Sequence, residues 1–262
     1  MNHRPRKRFG QHFLHDPGVI ARIVGAIDPR PDEALLEIGP GLGALTAPLL
    51  ARCGRLLAVE VDRDVIGPLR ERCAGLGELT VFEADALTID LATLGGGRRL
   101  RLVGNLPYNI STPLLFHLLG QRQHVQDMHF MLQKEVIMRM TAGPGSREYG
   151  RLSVMLGWAC EAERLFDIGP GAFTPPPRVW SSIVRLRPRQ APLGPPVDAR
   201  RLQAVVTAAF GQRRKTLRNA LRALLDAEAI RDCGIDPGIR PEMLAIEDFV
   251  RLATLDGVKS PI

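Results

Sequence analysis

No apolar run in the sequence approaches the roughly 18 residues of a membrane span. Nor does an apolar stretch follow the basic N-terminus, as a secretory leader would require. Neither a membrane-spanning nor an exported protein is expected. Cysteine is scarce: Cys53, Cys73, Cys160 and Cys233 are scattered, without the paired spacing of a zinc site or a disulfide framework. Each reads as buried small-residue packing in a reducing cytoplasm, and no metal is expected. There is no internal repeat and no extended low-complexity tract. Lysine is rare, with only Lys7, Lys134, Lys215 and Lys259 among 35 basic residues. The arginine excess favours phosphate forks and base stacking over point charge, although biased genome composition produces the same ratio.

What is present is positive charge, +7 in net with a sequence pI near 9.8, in the range of nucleic-acid-binding domains. Its placement says more than its total. Arg4, Arg6, Lys7 and Arg8 crowd the first residues, so 1–9 reads as a mobile basic arm. Arg213, Arg214, Lys215, Arg218 and Arg222 crowd a predicted helix whose other face carries Leu217, Leu221, Leu224 and Leu225. Such a run is either a solvated helix face or a set of cations projecting towards an RNA backbone.

Strand and helix patterns alternate along the first two thirds of the chain. Asp16-Pro17 reads as a helix cap followed by a first-turn proline, opening a helix through Ile27. Strands are predicted over 34–38, 55–61, 79–82, 100–103 and 128–132, with helices through Leu50, over 62–73, 113–119 and 134–140. Two late apolar segments, 152–159 and 182–186, read as the last strands, flanking the loop Pro170 to Pro177. Met128, Met131, Met138 and Met140 read as core filler. Such alternation predicts an α/β fold with a mostly parallel sheet and helices on both faces. Prolines 188, 192, 195 and 196 with Gly194 mark a linker over 188–196. Three helical patterns follow, over 198–210, 216–225 and 242–255. The expected division is therefore 10–187 and 197–262.

Three strand ends carry the chemistry. After the first strand comes Glu37-Ile38-Gly39-Pro40-Gly41-Leu42-Gly43, where glycines such as Gly39 and Gly41 let a ligand approach the backbone. About twenty residues on, Glu60 ends the second strand, the place of an acid that grips ribose hydroxyls. Asp85, after the third strand, is offered to an adenine amino group. Both acids could instead be solvated loop residues or helix caps. The fourth strand runs into Gly104-Asn105-Leu106-Pro107-Tyr108-Asn109-Ile110-Ser111-Thr112-Pro113. The Asn105 side-chain oxygen and the Leu106 carbonyl can accept both hydrogens of an exocyclic amine, while Tyr108 stacks on its ring. The competing reading is an ordinary turn in which Ser111 or Thr112 caps the next helix. A compact glycine loop together with a base-amine site favours S-adenosylmethionine over a nicotinamide cofactor.

These stretches resemble the KsgA (RsmA) family, the small-subunit (16S) ribosomal RNA adenine dimethyltransferases. The likeness runs from about Lys7 to Thr254. It rests on Arg8 to Leu14, Glu37 to Gly41, Asn105 to Pro113, Met131 to Val136, Tyr149 to Ser153, Phe173 to Pro177 and Phe210 to Asn219. The resemblance implies a Rossmann-like class I methyltransferase domain followed by a small C-terminal α-helical domain. It implies cofactor contacts at His12, Leu14, Gly39, Glu60, Asp85 and Asn105, and a target base lying between Tyr108 and Phe173. Histidine stands at position 12 where the family usually has asparagine; it keeps a hydrogen-bond donor but can change charge. The implied reaction is double methylation of adenosine N6 on the small ribosomal subunit, by a cytoplasmic monomer without an obligate protein partner. Arg213, Arg214, Lys215 and Arg218 are the expected grip on RNA. Two other readings remain: the related enzyme that dimethylates large-subunit RNA, and an assembly factor whose binding matters more than its methylation.

Overall fold

The computed structural model describes residues 12–108, 110–212 and 214–255. The basic arm expected over 1–9 and the predicted RNA contact Arg213 lie outside them. The described chain forms two compact units. One runs to Ile137 and takes in Glu163–Pro188; the other comprises Met138–Ala162 and everything from Arg189 onward. The second unit is thus larger than the expected helical segment from 197, because a piece of chain from before the last strand groups with the C-terminal helices.

The first unit is built on a sheet of strands β2 (Ala34–Ile38), β3 (Arg55–Glu60), β4 (Glu78–Glu83), β5 (Leu100–Asn105), β6 (Val125–Gln133), β7 (Cys160–Ile168) and β9 (Ser181–Pro188). Two short strands, β1 (Phe13–Leu14) and β8 (Phe173–Thr174), pair separately and antiparallel. The order in the main sheet is β4-β3-β2-β5-β6-β9-β7. The first five of these neighbours are parallel, and β9 runs antiparallel to β6. The chain moves outward one way from β2 to β4, then returns to β5 on β2's other side. The strand order therefore reverses between β2 and β5, where open α/β sheets place their ligands.

Helix α1 (Pro17–Ile27) starts as its sequence dictates. Asp16 accepts the Val19 N–H at 2.9 Å and proline fills the first turn. Its buried residues Ile23, Val24 and Ile27 join Leu49 and Leu50 of α2 (Thr46–Cys53) and Leu69 of α3 (Arg63–Cys73) in one core. Leu35, Val103 and Met131 supply the strand side of that core. Leu36, Leu102 and Phe130, which alternate with them, are fully buried too. Both faces of the sheet are therefore covered, and strands this apolar can only be central. At the opposite end from the glycine loop, the buried Arg101 guanidinium binds Asp127, Glu33 and the Ile27 carbonyl, tying the end of α1 to β5 and β6.

The segment 152–159 is not a strand. It is helix α7 (Arg151–Ala159), and the strand follows it as β7. The run Leu152-Ser153-Val154-Met155-Leu156 is a helix buried nearly all round, and periodicity alone does not separate such a helix from a buried strand. At the sheet edge, β7 carries exposed Glu161, Glu163 and Arg164, so its alternation is weak. In the second unit α8 (Ala199–Phe210) packs on α7, on α9 (Leu217–Leu221) and on α11 (Ile246–Thr254). The Phe210 ring stands between Tyr149, edge-on at 6.0 Å, and Phe249 at 5.5 Å. Of the four methionines, Met128, Met131 and Met140 are buried, whereas Met138 is exposed. No described helix is long and apolar enough to cross a membrane.

Candidate active site

A cavity of about 470 Å³ opens at the carboxyl ends of the first unit's strands, over the point where strand order reverses. His12, Leu14, Gly39, Gly41, Glu60, Asp85 and Asn105 all line it, as do Leu106, Pro107 and Tyr108. Ten residues predicted from five separate stretches are thus brought together: four of the stretches end or follow strands that reach the same edge, and the fifth, at β1, closes over them.

The glycine loop turns with φ of +67° at Gly39 and +54° at Gly41, a region that strongly favours glycine. A Cβ on Gly41 would also stand 3.3 Å from the Phe13 ring. Glu60 braces this loop. One of its carboxylate oxygens accepts the Val61 and Asp62 N–H groups, both at 2.9 Å, and the other accepts Gly41 N–H at 3.1 Å. A carboxylate offers about four lone-pair sites, so one remains, on the oxygen that holds Gly41. Burial pushes the Glu60 carboxyl above its ordinary value, against the pull of those N–H groups. Asp85 is exposed; one of its oxygens accepts Leu87 N–H at 2.9 Å, and the other takes no hydrogen bond among the described residues.

At the tip of β5 the Asn105 amide donates from Nδ2 to the His12 carbonyl at 3.1 Å. That bond fixes the amide's orientation and leaves Oδ1 without a donor among the described residues. Leu106 gives its N–H to Met131 at 3.2 Å, and its carbonyl receives no hydrogen bond among the described residues. Among the described residues, two acceptors therefore stand free on consecutive positions. Neither Ser111 nor Thr112 caps α5 (Ser111–Leu119): its N-cap is Ile110, and Ser111 instead donates back to the Tyr108 carbonyl. Tyr108 is held by a 2.8 Å hydrogen bond between its hydroxyl and Ser181 Oγ, and burial raises its pKa despite that bond. The His12 ring lies 5.8 Å from the Tyr108 ring and donates from Nδ1 to the Pro175 carbonyl at 2.8 Å.

Two residues here were not singled out by sequence reasoning. Ser181 had no local signal beyond its place at a strand start. Glu37 was read only as part of the glycine loop. It is 2 % exposed, lines the cavity, and its Oε2 has no hydrogen-bond partner. Burial, opposed by Thr46 and reinforced by the Glu60 charge, pushes its pKa up to about 7.

Three expectations do not land where the sequence put them. Phe173 is not in the cavity wall; it is 2 % exposed, paired with Leu14 and packed into the core. Its apolar ring gains more from that burial than an exposed loop position would give. Arg214 and Lys215 precede α9 and are not on it, since the helix starts only at Leu217. Arg218 is on α9 and exposed, while Leu217 and Leu221 face inward as expected.

The profile of the family described as "Ribosomal RNA adenine dimethylase" matches residues 2–255. The chain belongs to that family. It is 55% identical over 253 residues to "Ribosomal RNA small subunit methyltransferase A" of Marinobacter nauticus, covering 97% of this chain and 92% of the relative. The protein of the same name from Methylococcus capsulatus is 56% identical over 256 residues, covering 97% and 98%. Among solved structures, a dimethyladenosine transferase from Plasmodium falciparum superposes with a TM-score of 0.78 at 25% identity, over 92% of this chain and 96% of that one. The 23S rRNA methyltransferase ErmE superposes at 0.72 with 29% identity, over 92% and 98%. The fold is that of a Rossmann-like class I methyltransferase with a C-terminal helical part, and the enzyme is an S-adenosylmethionine-dependent ribosomal RNA adenine dimethyltransferase.

Proposed function

We propose that this enzyme methylates N6 of two adjacent adenosines near the 3′ end of small-subunit (16S) ribosomal RNA, twice each, during subunit assembly. The observation that carries the reading is the pair of free acceptors, Asn105 Oδ1 and the Leu106 carbonyl, at the rim of the cofactor-sized cavity. The donor set suits S-adenosylmethionine. Asp85 has an open oxygen for the adenine amine and Glu60 one open site for a ribose hydroxyl. The backbone at Gly39 and Gly41 is bare, and Glu37 is a buried acid whose Oε2 has no partner among the described residues, which suits a cationic ligand. Leu14 and the His12 backbone complete the wall. The bound cofactor supplies a methyl group on a positively charged sulfur.

The protein's part is positioning and electrostatics. The N6 lone pair of adenosine is delocalised into the purine. Accepting its two hydrogens at Asn105 and Leu106 draws the nitrogen towards a tetrahedral geometry and frees that lone pair for attack. Pro107 sets the turn that aims the Leu106 carbonyl, and Tyr108, its hydroxyl pinned by Ser181, offers the stacking face. A bound cofactor would give up its methyl group to that lone pair and leave as a neutral thioether, and the N6 proton would pass to solvent. No general base is required. Cover from Phe173 on the other face of the base would need its ring to leave the core, a cost of about 1.5–3 kcal/mol. Arg214, Lys215 and Arg218 are the proposed phosphate contacts, together with Arg213. The enzyme works as a cytoplasmic monomer on the immature subunit. Incubating purified small and large subunits separately with methyl-labelled cofactor tests this reading. Label in small-subunit RNA is expected; label confined to large-subunit RNA would overturn it.

A further inference from the structure

The segment between β8 and β9 presents a large apolar surface next to the reactive turn. Trp180 is 54 % exposed and Val179 beside it 42 %. The position is anchored: the Trp180 carbonyl accepts Lys134 N–H at 2.9 Å, and the next residue, Ser181, holds the Tyr108 hydroxyl. The indole rests on bare backbone, since a Cβ on Gly169 would lie 3.7–4.0 Å from three of its ring carbons. The Lys134 ammonium stands 5.9 Å from the ring centroid and is itself steadied by Asp167 at 2.7 Å. Arg178, two residues before the ring, is exposed, and residues 169–182 contain no acid.

An exposed aromatic face on a fixed backbone, flanked by cations and with no acid in its own segment, fits a nucleotide. Unpaired bases stack on such faces while their phosphates are neutralised beside them. We propose that Trp180 is a stacking platform for an unpaired RNA base flanking the target adenosine, with Arg178 and Lys134 meeting its phosphate. The inference rests on the RNA-methylating reading above and adds a residue that positions the substrate strand. Trp180 does not touch the reacting atoms; it acts by holding the strand in register with Tyr108.

The test uses the full-length enzyme with Trp180→Ala, Trp180→Phe and Trp180→Leu. On small subunits, Trp180→Ala and Trp180→Leu should raise KM roughly tenfold, the scale of one lost base–aromatic stack, with kcat nearly unchanged. Trp180→Phe should recover most of the loss, and calorimetric S-adenosylmethionine affinity should be the same in all four proteins. A second arm needs no turnover. The chain has two tryptophans, and Trp158 is buried, so the emission of exposed Trp180 should be quenched by a single-stranded oligoribonucleotide carrying two adjacent adenosines. An unchanged KM in Trp180→Ala, or leucine rescuing as well as phenylalanine, would overturn the platform. Leucine rescue would mark an apolar protein contact instead. If the wild type methylated no subunit RNA, the functional reading would fail, and quenching by the oligoribonucleotide would still decide the platform.

Discussion

Replacing Glu37 with glutamine should uncouple cofactor binding from proton release. In the free enzyme the carboxyl is buried in the cavity wall with Oε2 unpartnered, and its pKa is pushed up to about 7, chiefly by desolvation. Glu60 and Cys73 are the titratable groups that sense or oppose its charge. S-adenosylmethionine brings positive charge into that wall, which favours the ionised acid. Below about pH 7, binding must therefore expel a proton from Glu37. Between pH 8 and pH 6 cofactor affinity should fall about tenfold, or about 1.4 kcal/mol. Glutamine mimics the neutral acid and should flatten that slope. Calorimetric titrations in two buffers of different ionisation heat should show nearly one proton released at pH 6 by the wild type and far less by Glu37→Gln. Stability carries the opposite sign. A folded pKa above the ordinary 4.5 contributes stability that is fully present below about pH 4.5 and lost as pH rises to about 7. At about 1.4 kcal/mol per pH unit, that is a loss of about 3 kcal/mol. Glu37→Gln should therefore be the more stable apoprotein at pH 8. Equal proton release in both proteins would refute the reasoning, because no ionisation of Glu37 would then accompany binding.

Asn105→Ala removes one free N6 acceptor and the clasp on the His12 carbonyl; turnover on small subunits should fall at least about a hundredfold. Glu60→Ala deprives Gly41, Val61 and Asp62 of their acceptor and the ribose of its own. Cofactor affinity should drop by about 1–3 kcal/mol in titration calorimetry, and the melting temperature should fall as well. Charge reversal at Arg214 and Arg218 should weaken subunit binding and lower the logarithmic salt slope by about 0.7–0.9 per lost phosphate contact, leaving cofactor affinity alone.

The parts of the site legible in the sequence are those whose chemistry is local. A glycine loop after a strand, an acid at the end of the next strand and Asn105 before Leu106-Pro107 each bring their geometry with them. Parallel β-α alternation then delivers every strand end to one edge, so the cavity assembles from stretches that say nothing about each other. What stayed hidden depends on partners distant in the chain. Ser181 matters only because β9 runs antiparallel to β6 and brings it to the Tyr108 hydroxyl. His12 was placed at the cofactor by resemblance, yet here its carbonyl orients the Asn105 amide and its ring reaches Pro175. The resemblance sets Phe173 against the target base, but pairing with Leu14 draws it into the core. The reading of 152–159 as a strand, with no element over 160–168, has a related cause: the helix is buried nearly all round and the strand lies at an edge, so neither shows its characteristic period.

The most direct test of the central claim is to map methylated adenosines by mass spectrometry after incubating the enzyme with unmethylated small subunits and S-adenosylmethionine. N6,N6-dimethyladenosine is expected at two adjacent positions near the 3′ end of the 16S RNA, lost together in Asn105→Ala. Dimethylation elsewhere, methylation on an atom other than N6, or an unchanged pattern in Asn105→Ala would contradict it.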